Sequence, residues 1–191
     1  MIREEVVRRN KIVKTEPPSK QQVSDYVDKV VKDNSFVKPI DLSSLTDREI
    51  KEIKQIKKLD TSGYKHELIP NELRHILKQH GDPVKEALNG QLPITKEDLK
   101  KIPEIISSWD KMEDGGKRNN RDSIIYVKRV NGTIYYVEVI GNRDNRLTPK
   151  TMWKKPSAGD SAINNSVSTS ETAGVQASVQ IIPPFPEKSS H

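Results

Sequence analysis

Residues 123–140, SIIYVKRVNGTIYYVEVI, contain the clearest structural signal in the chain. Two runs rich in β-branched and aromatic side chains flank the dipeptide Asn131-Gly132. Such runs favour β-strands, and Asn-Gly between them is the strongest short-range signal for a hairpin with a two-residue turn. That turn would place Lys128 opposite Tyr135 in the neighbouring strand. The segment therefore predicts the centre of an antiparallel sheet.

A third strand is predicted over Arg146–Lys155, after a looser turn at residues 141–145. Proline cannot donate a backbone hydrogen bond to a strand ladder, so Pro149 favours an edge position or a bulge. Alternate side chains of a strand share a face. Thr151 and Trp153 would then lie on one face of the sheet, and Lys154 on the other.

Apolar residues at helical spacing dominate the part of the chain before the hairpin. Two capping boxes, with Ser or Thr followed three residues later by Gln or Glu, start at Ser19 and Thr46. Pro70 suits a first helical position, and Gly81 suits the position just past a helix end. A fourth, short helix opens at Thr95. Helices followed by an antiparallel sheet predict an α+β fold.

Composition divides the chain into four parts. Residues 1–18 form a basic arm and linker. Residues 19–35 form a helix that either packs on the domain or ends a separate upstream module. Residues 36–155 form a domain of helices packed on a small antiparallel sheet. Residues 156–191 are rich in Ser, Thr, Asn, Ala and Gly and are predicted to be a disordered tail.

Positive charge is concentrated in the part before the tail. The chain has 33 Lys and Arg residues against 27 Asp and Glu residues, a net charge of +6. The tail holds one basic and three acidic residues, so the first 155 residues carry +8. A basic body favours an anionic partner, although charge alone supports only non-specific attraction.

Residue content excludes several classes of site. The chain has no cysteine, and therefore no disulfide, thiolate nucleophile or cysteine zinc site. Its four histidines show no metal-ligand spacing, and no glycine-rich phosphate loop or GxSxG motif occurs. We therefore expect neither a metal nor another cofactor. No apolar run has the length of a membrane span, which predicts a soluble protein. The sequence leaves its location open between the cytoplasm and a virion.

The run LRHILKQHGD, residues 73–82, holds two of the four histidines at the end of a predicted helix. Histidine can both take and give a proton near neutral pH. His75 and His80 are five residues apart, about 140° round an ideal helix, so a straight helix directs only one of them toward a given site. The alternative is that His75 is a surface residue and His80 caps the helix C-terminus.

The strands are basic, with ten Lys and Arg residues against three acidic residues in residues 117–155. A sheet face that carries Lys128 and Arg129 beside Tyr136 could hold a phosphate and stack a base. These three side chains are therefore candidate substrate contacts. The alternative is a solvated face whose lysines protect the sheet against aggregation.

The last strand adds two candidate catalytic side chains. The hydroxyl of Thr151 could donate to a phosphate oxygen, and Lys154 could neutralise charge that develops in a transition state. The alternative is that Thr151 is a strand former and Trp153 a core residue.

The order of these segments resembles the phage barnase–EndoU–colicin–RelE-like nuclease domains. Such domains occur in phage head-morphogenesis proteins of the Mu F type and in related mobile-element toxins. The resemblance covers about residues 36–155. It rests on DTSGYKHELI from Asp60, LRHILKQHGD from Leu73, LPIT from Leu92, IPEII from Ile102, the hairpin, and KTMWK from Lys150.

This resemblance implies N-terminal helices on a four-stranded antiparallel sheet and a metal-independent ribonuclease. His75 and His80 match the histidines of the family's helix, and Thr151 matches the threonine of its final strand. Lys154 matches less closely. These four residues are the candidate catalytic residues.

Our leading hypothesis is therefore an endoribonuclease of phage or mobile-element origin, acting as an effector or toxin. One histidine would be the general base on the 2′-hydroxyl or the acid to the leaving 5′-oxygen. RNA, with tRNA as one candidate, would be the substrate, and an immunity or phage structural protein would be the partner. The alternatives are a non-catalytic module that binds nucleic acid or a phage head, and an adaptor that recruits a partner through Pro183–Pro186.

Overall fold

The computed structural model describes residues 16–141 and 144–157. Residues 1–15 of the basic arm and the predicted disordered tail from residue 158 lie outside the described residues. The helices and strands are, in chain order, α1 Lys20–Lys32, β1 Ile40–Ser44, α2 Asp47–Lys57, β2 Lys65–Leu68, α3 Pro70–His80, α4 Pro83–Leu88, α5 Lys96–Lys100, α6 Ile102–Ser107, β3 Lys111–Arg118, β4 Arg121–Arg129, β5 Thr133–Gly141 and β6 Arg146–Lys155.

The strands form one sheet in the order β1-β2-β6-β5-β4-β3. Neighbouring strands are antiparallel except β2 and β6, which run parallel. Helical side chains and one face of the sheet share the hydrophobic core, which confirms the α+β prediction. The sheet has six strands rather than the four that the resemblance implies. Strands β1 and β2, which are five and four residues long and lie between helices, were not predicted from the sequence.

The central hairpin forms, but its predicted pairing is wrong by one residue. Lys128 lies opposite Ile134 rather than Tyr135, and the last pair before the turn is Arg129 with Thr133. The turn therefore contains three residues. Because side chains alternate between faces, a slip of one residue exchanges the two faces. Lys128 accordingly lies on the face that also carries the core residue Ile134.

The shape of this turn is fixed by its contact with the end of β6. Asn131 and Gly132 have φ angles of 48° and 106°, both in the left-handed region. A side chain at position 132 would come within 2.5 Å of the Lys155 carbonyl oxygen. Glycine therefore lets the hairpin turn close directly against the last strand.

Strand β6 contains the bulge that Pro149 predicted. Val137 pairs with Thr151 and Glu138 pairs with Pro149, so Lys150 is the extra residue of β6. After the bulge, Met152 is fully buried in the core. Thr151, Trp153 and Lys155 therefore lie on the opposite face of the sheet.

The helix ends follow their sequence signals. The Ser19 and Thr46 side chains both accept hydrogen bonds in complete capping boxes. Helix α3 starts with Pro70 and ends before Gly81. Gly81 has a right-handed backbone with φ −92°, but a Cβ there would lie 2.4 Å from the Leu77 carbonyl oxygen. Close approach of the backbone, rather than a left-handed turn, therefore favours glycine at this helix end.

Helix α1 packs on the domain. Val23, Val27 and Val30 are at most 1% exposed and belong to the common core. Arg74 of α3 donates hydrogen bonds to the carbonyls of Val30 and Phe36, 3.1 and 3.0 Å away. These contacts join the C-terminal end of α1 to the helix that carries the two candidate histidines.

A buried ionic group, which we call the His66 cluster, joins α2, β2, β4 and β5. The ring of His66 lies 3.1 Å from Glu49 through Nε2 and 2.8 Å from Glu138 through Nδ1. Tyr126 donates to Glu49, and Tyr136 donates to Glu138. All five side chains are at most 2% exposed.

The positive charge of the protonated His66 ring balances part of the negative charge of Glu49 and Glu138. Burial would lower the pKa of His66, but the charges and hydrogen bonds of Glu138 and Glu49 outweigh burial and raise it to about 10. Burial also opposes ionisation of Glu49, yet His66 and Thr46 hold the pKa of this carboxyl below its usual range. His66 is thus an imidazolium at neutral pH, hydrogen-bonded to a glutamate at each ring nitrogen.

Replacing His66 with alanine should destabilise the fold strongly. The substitution leaves Glu49 and Glu138 facing each other without their cation, and breaking a buried ion pair costs about 3–5 kcal/mol. Urea denaturation followed by circular dichroism measures this loss. His75→Ala is the matched control, because His75 is exposed and surface substitutions usually change stability by no more than about 0.5 kcal/mol. Equal stability of the two variants would contradict a stabilising role for the cluster.

Stability should also fall in alkaline solution. The pKa of His66 is raised in the folded protein, so its contribution is complete below its ordinary pKa of 6.5 and is lost as pH rises through about 10. The free energy of unfolding of the wild type should therefore decrease across this window. Urea denaturation at several pH values tests this, with His66→Gln as the control that lacks the titrating group. Identical pH profiles for the two proteins would refute the prediction.

Candidate active site

The candidate site lies at an edge of β6 that β2 leaves uncovered. On its β6 side, strand β2 pairs with only two residues, Arg146 and Leu147, at the start of β6. The rest of this edge has a single described bridge, from Leu92 to Lys154. Helix α3 follows β2 directly and packs against β6. The C-terminal end of α3 thereby reaches the part of the edge that β2 leaves uncovered.

Two backbone hydrogen bonds fix the end of α3 there. Ile94 N–H donates to the His80 carbonyl at 2.6 Å, and Leu92 N–H donates to the Lys154 carbonyl at 2.8 Å. We call residues 91–94 the clamp segment. It connects the last residue of α3 with the C-terminal end of β6, and so fixes the backbone of His80 beside the strand.

At this edge His80 and Thr151 meet directly. The Nε2 atom of His80 lies 3.1 Å from Oγ1 of Thr151. On the other side of the ring, Nδ1 lies 3.3 Å from Oε2 of Glu86. The His80 side chain is 25% exposed, whereas that of Glu86 is 1% exposed. One ring nitrogen therefore faces a buried carboxylate, and the other faces a hydroxyl near solvent.

This arrangement determines how the ring can carry a proton. An ionised carboxylate only accepts hydrogen bonds, so with Glu86 ionised the neutral tautomer that satisfies this contact carries its proton on Nδ1. Nε2 is then the acceptor for the Thr151 hydroxyl. When Nε2 takes a second proton, the ring becomes a donor on both sides. A histidine held in this way can act as a base or an acid at Nε2.

Glu86 belongs to α4 and was not among the residues predicted from the sequence. Asp82 caps this helix by accepting from the backbone N–H groups of Val84 and Lys85, and Pro83 occupies its first position. The Asp-Pro pair after Gly81 is a helix-start signal that could have marked the element. Helix α4 has only six residues, which is too short for a pattern of apolar residues to indicate that Glu86 is the buried side chain.

Lys154 lies near the clamp segment but is paired with another side chain. Its Nζ atom lies 3.2 Å from Oδ1 of Asp98, and the two side chains are 11% and 3% exposed. Burial would raise the pKa of Asp98, but hydrogen bonds from Thr95 and the ammonium of Lys154 hold it below its usual range. Lys154 thus has a buried carboxylate as its partner, on the face opposite Thr151.

The other predicted site residues lie apart from His80 and Thr151. His75 is exposed on α3. Tyr136 is fully buried in the His66 cluster, where no substrate can reach it in this conformation. Lys128 is bound to the Asp110 carboxylate at 3.3 Å, and Arg129 is exposed at the hairpin end. Of the residues predicted from sequence, the structure brings together only His80 and Thr151 by direct contact.

The sheet face that carries Thr151 also carries two aromatic rings. Tyr135 and Trp153 are cross-strand neighbours, and their rings stack with centroids 5.1 Å apart and planes 2° from parallel. Both side chains are partly exposed. The interpretation of Trp153 as a core residue is therefore wrong, because the core lies on the other face of the sheet.

Two further observations concern the described part of the chain. Within residues 16–141 and 144–157, no group of three or more His, Asp or Glu side chains is arranged to hold a metal ion. None of the helices in these ranges has the length and apolar character needed to cross a bilayer.

Comparison with known proteins identifies the family. A sequence model of phage-Barnase-EndoU-ColicinE5/D-RelE like nuclease3 matches residues 45–162. No match was found among curated proteins or among solved structures. The matched range is more than half of the chain, and it contains α2 to β6 and with them His80, Glu86 and Thr151. The chain therefore belongs to the family of phage barnase–EndoU–colicin–RelE-like nucleases.

Proposed function

We propose that this nuclease domain is a metal-independent endoribonuclease in which His80 is the catalytic acid–base residue. The observation that carries the proposal is the contact of His80 with both Glu86 and Thr151, at 3.3 and 3.1 Å. The ring is partly exposed, so a substrate can approach it, while its orienting carboxylate is buried. A histidine with this environment matches the requirements of general acid–base catalysis.

The reaction would use the 2′-hydroxyl of the RNA itself. The 2′-oxygen forms a bond to phosphorus while the bond to the 5′-oxygen breaks, leaving a 2′,3′-cyclic phosphate and a 5′-hydroxyl. His80 either removes the proton from the 2′-hydroxyl or supplies one to the leaving 5′-oxygen. In the free protein the Thr151 hydroxyl lies 3.1 Å from Nε2 and donates to it. Once substrate occupies Nε2, this hydroxyl would rotate and donate to a phosphate oxygen as charge develops there.

Glu86 would act as a positioning residue. It contacts only the ring nitrogen that faces away from Thr151. A carboxylate at Nδ1 keeps the neutral ring in the tautomer whose Nε2 is free to accept a proton, and it stabilises the imidazolium that forms afterwards. Its burial keeps this contact away from competing water.

The surrounding charge suits a polyanionic substrate. The first 155 residues carry a net charge of +8. Long-range attraction of this kind raises the association rate with nucleic acid and weakens as salt is added. We propose RNA as the substrate, with tRNA as one candidate. The phage association of the family supports a role as an effector, opposed by an immunity protein or joined to a phage structural protein.

A second candidate function is binding of nucleic acid without cleavage. The observation that favours it is that both lysines proposed to contact phosphate are already paired, Lys128 with Asp110 and Lys154 with Asp98. In this conformation neither of these two lysines is available to neutralise charge on a reacting phosphate. An RNA cleavage assay in EDTA distinguishes the two functions, since the binding module leaves the RNA intact.

His80→Ala should abolish most RNA cleavage, whereas His75→Ala should not. Removal of a single general acid–base group costs about 10²–10⁴-fold in rate. The measurement is the initial rate of cleavage of a labelled RNA in EDTA, with circular dichroism to show that each variant is folded. His75→Ala is the matched control because it removes an exposed histidine from the same helix. Equal rates for the two variants would contradict the assignment.

Glu86→Gln should lower kcat and leave RNA binding nearly unchanged. The amide can present an N–H to Nδ1 and favour the wrong ring tautomer. Loss of the orienting carboxylate in histidine triads lowers kcat by up to about 10⁴-fold, and we expect a loss between about 10-fold and that value. Steady-state kinetics separate kcat from KM, and thermal denaturation checks the fold. An unchanged kcat, or a rise of KM alone, would count against a positioning role.

A further inference from the structure

The face of the sheet opposite the hydrophobic core carries a second set of side chains. Cross-strand pairing puts Tyr135, Val127 and Lys111 in one row with Trp153. The next row toward the hairpin turn pairs Thr133 with Arg129 and with Lys155. We call this face, which includes Thr151, the outer face.

The two aromatic side chains on the outer face, Tyr135 and Trp153, do not belong to the common hydrophobic core. Tyr135 and Trp153 stack at 5.1 Å, and both remain partly exposed, unlike the stacked core pair Tyr126 and Tyr136. Lys155 lies over Tyr135, with Nζ 5.6 Å from the ring centroid. Proteins that bind single-stranded nucleic acid combine exposed aromatic rings with positive charge. The rings stack on bases, since every base has a flat face, and the cations attract the phosphates.

The spacing along β6 relates this pair to the reactive residue. Thr151, Trp153 and Lys155 are separated by two residues each and share the outer face, so successive side chains are about 7 Å apart. Along one strand the chain thus presents a hydroxyl, an aromatic ring and an ammonium group. The hydroxyl is the one that contacts His80.

We propose that Trp153 and Tyr135 form a stacking site for an unpaired base next to the scissile phosphate, with Lys155 binding a neighbouring phosphate. The proposal rests on the proposed function and specifies its substrate class as single-stranded RNA. Bases within an A-form duplex are already stacked on each other, so they cannot stack on these rings. The site therefore selects unpaired segments such as loops, whatever their sequence.

The test measures binding separately from cleavage. The probe is a ten-nucleotide single-stranded RNA of mixed sequence, 2′-O-methylated so that it cannot be cleaved through its 2′-hydroxyls. Its Kd is measured by fluorescence anisotropy for the full-length wild type, Trp153→Ala and Trp153→Phe. Stacking contributes about 1–3 kcal/mol per base, so Trp153→Ala should raise Kd about 5- to 150-fold. Trp153→Phe keeps a ring and should stay within a few-fold of the wild type.

Two further measurements separate stacking from charge. The same sequence as a duplex should bind Trp153→Ala and the wild type equally, because its bases are not available. Lys155→Ala should reduce the salt dependence of binding by about one unit of slope, as expected for one phosphate contact. Tyr135→Leu gives an independent test of the ring pair, and circular dichroism checks that each variant is folded.

The proposal is overturned if Trp153→Ala and Tyr135→Leu, both folded, bind the single strand as tightly as the wild type. It is also overturned if Trp153→Ala weakens binding of the single strand and of the duplex equally. A wild type that binds neither RNA would overturn it as well, and would leave the outer face as a candidate surface for a protein partner. His80-dependent cleavage of unmodified RNA that persists without Trp153-dependent binding would refute only this inference. Trp153-dependent binding without cleavage would instead refute the nuclease mechanism.

Discussion

Two backbone hydrogen bonds of the clamp segment, from Ile94 to His80 and from Leu92 to Lys154, hold the candidate site together. They fix the C-terminal end of α3 at an edge of β6 from which β2 is absent beyond Leu147. A proton-transferring group must stay within hydrogen-bond reach of the atoms that react. The clamp segment contributes to this constraint by fixing the backbone of His80 beside β6, and Glu86 contributes by contacting the ring at Nδ1.

Carboxylates at helix starts serve two purposes in this fold. Glu49 accepts from Thr46 in the capping box of α2 through Oε2, and its Oε1 binds His66. Asp98 accepts from Thr95 at the start of α5 through Oδ2, and its Oδ1 binds Lys154. The helix termini are thereby bonded to the sheet. Hydrophobic packing and these hydrogen bonds together therefore position the helices around the site.

Local signals were enough to predict much of this fold. The hairpin, the bulge beside Pro149 and the capping box at Thr46 each depend on residues close in sequence, and each is present. The one-residue difference in the hairpin turn was not predictable from Asn-Gly alone, and it moved Lys128 to the core face. Glu86 was missed because its contact with His80 depends on how α3 and α4 pack.

The central claim is that His80 transfers a proton during attack by the 2′-hydroxyl of RNA. The chemical nature of the RNA ends after cleavage tests it most directly. Mass spectrometry of the products formed in EDTA should find 2′,3′-cyclic phosphate and 5′-hydroxyl ends with the wild type and almost no such products with His80→Ala. Products with a 3′-hydroxyl and a 5′-phosphate, or RNA that remains intact, would contradict the account.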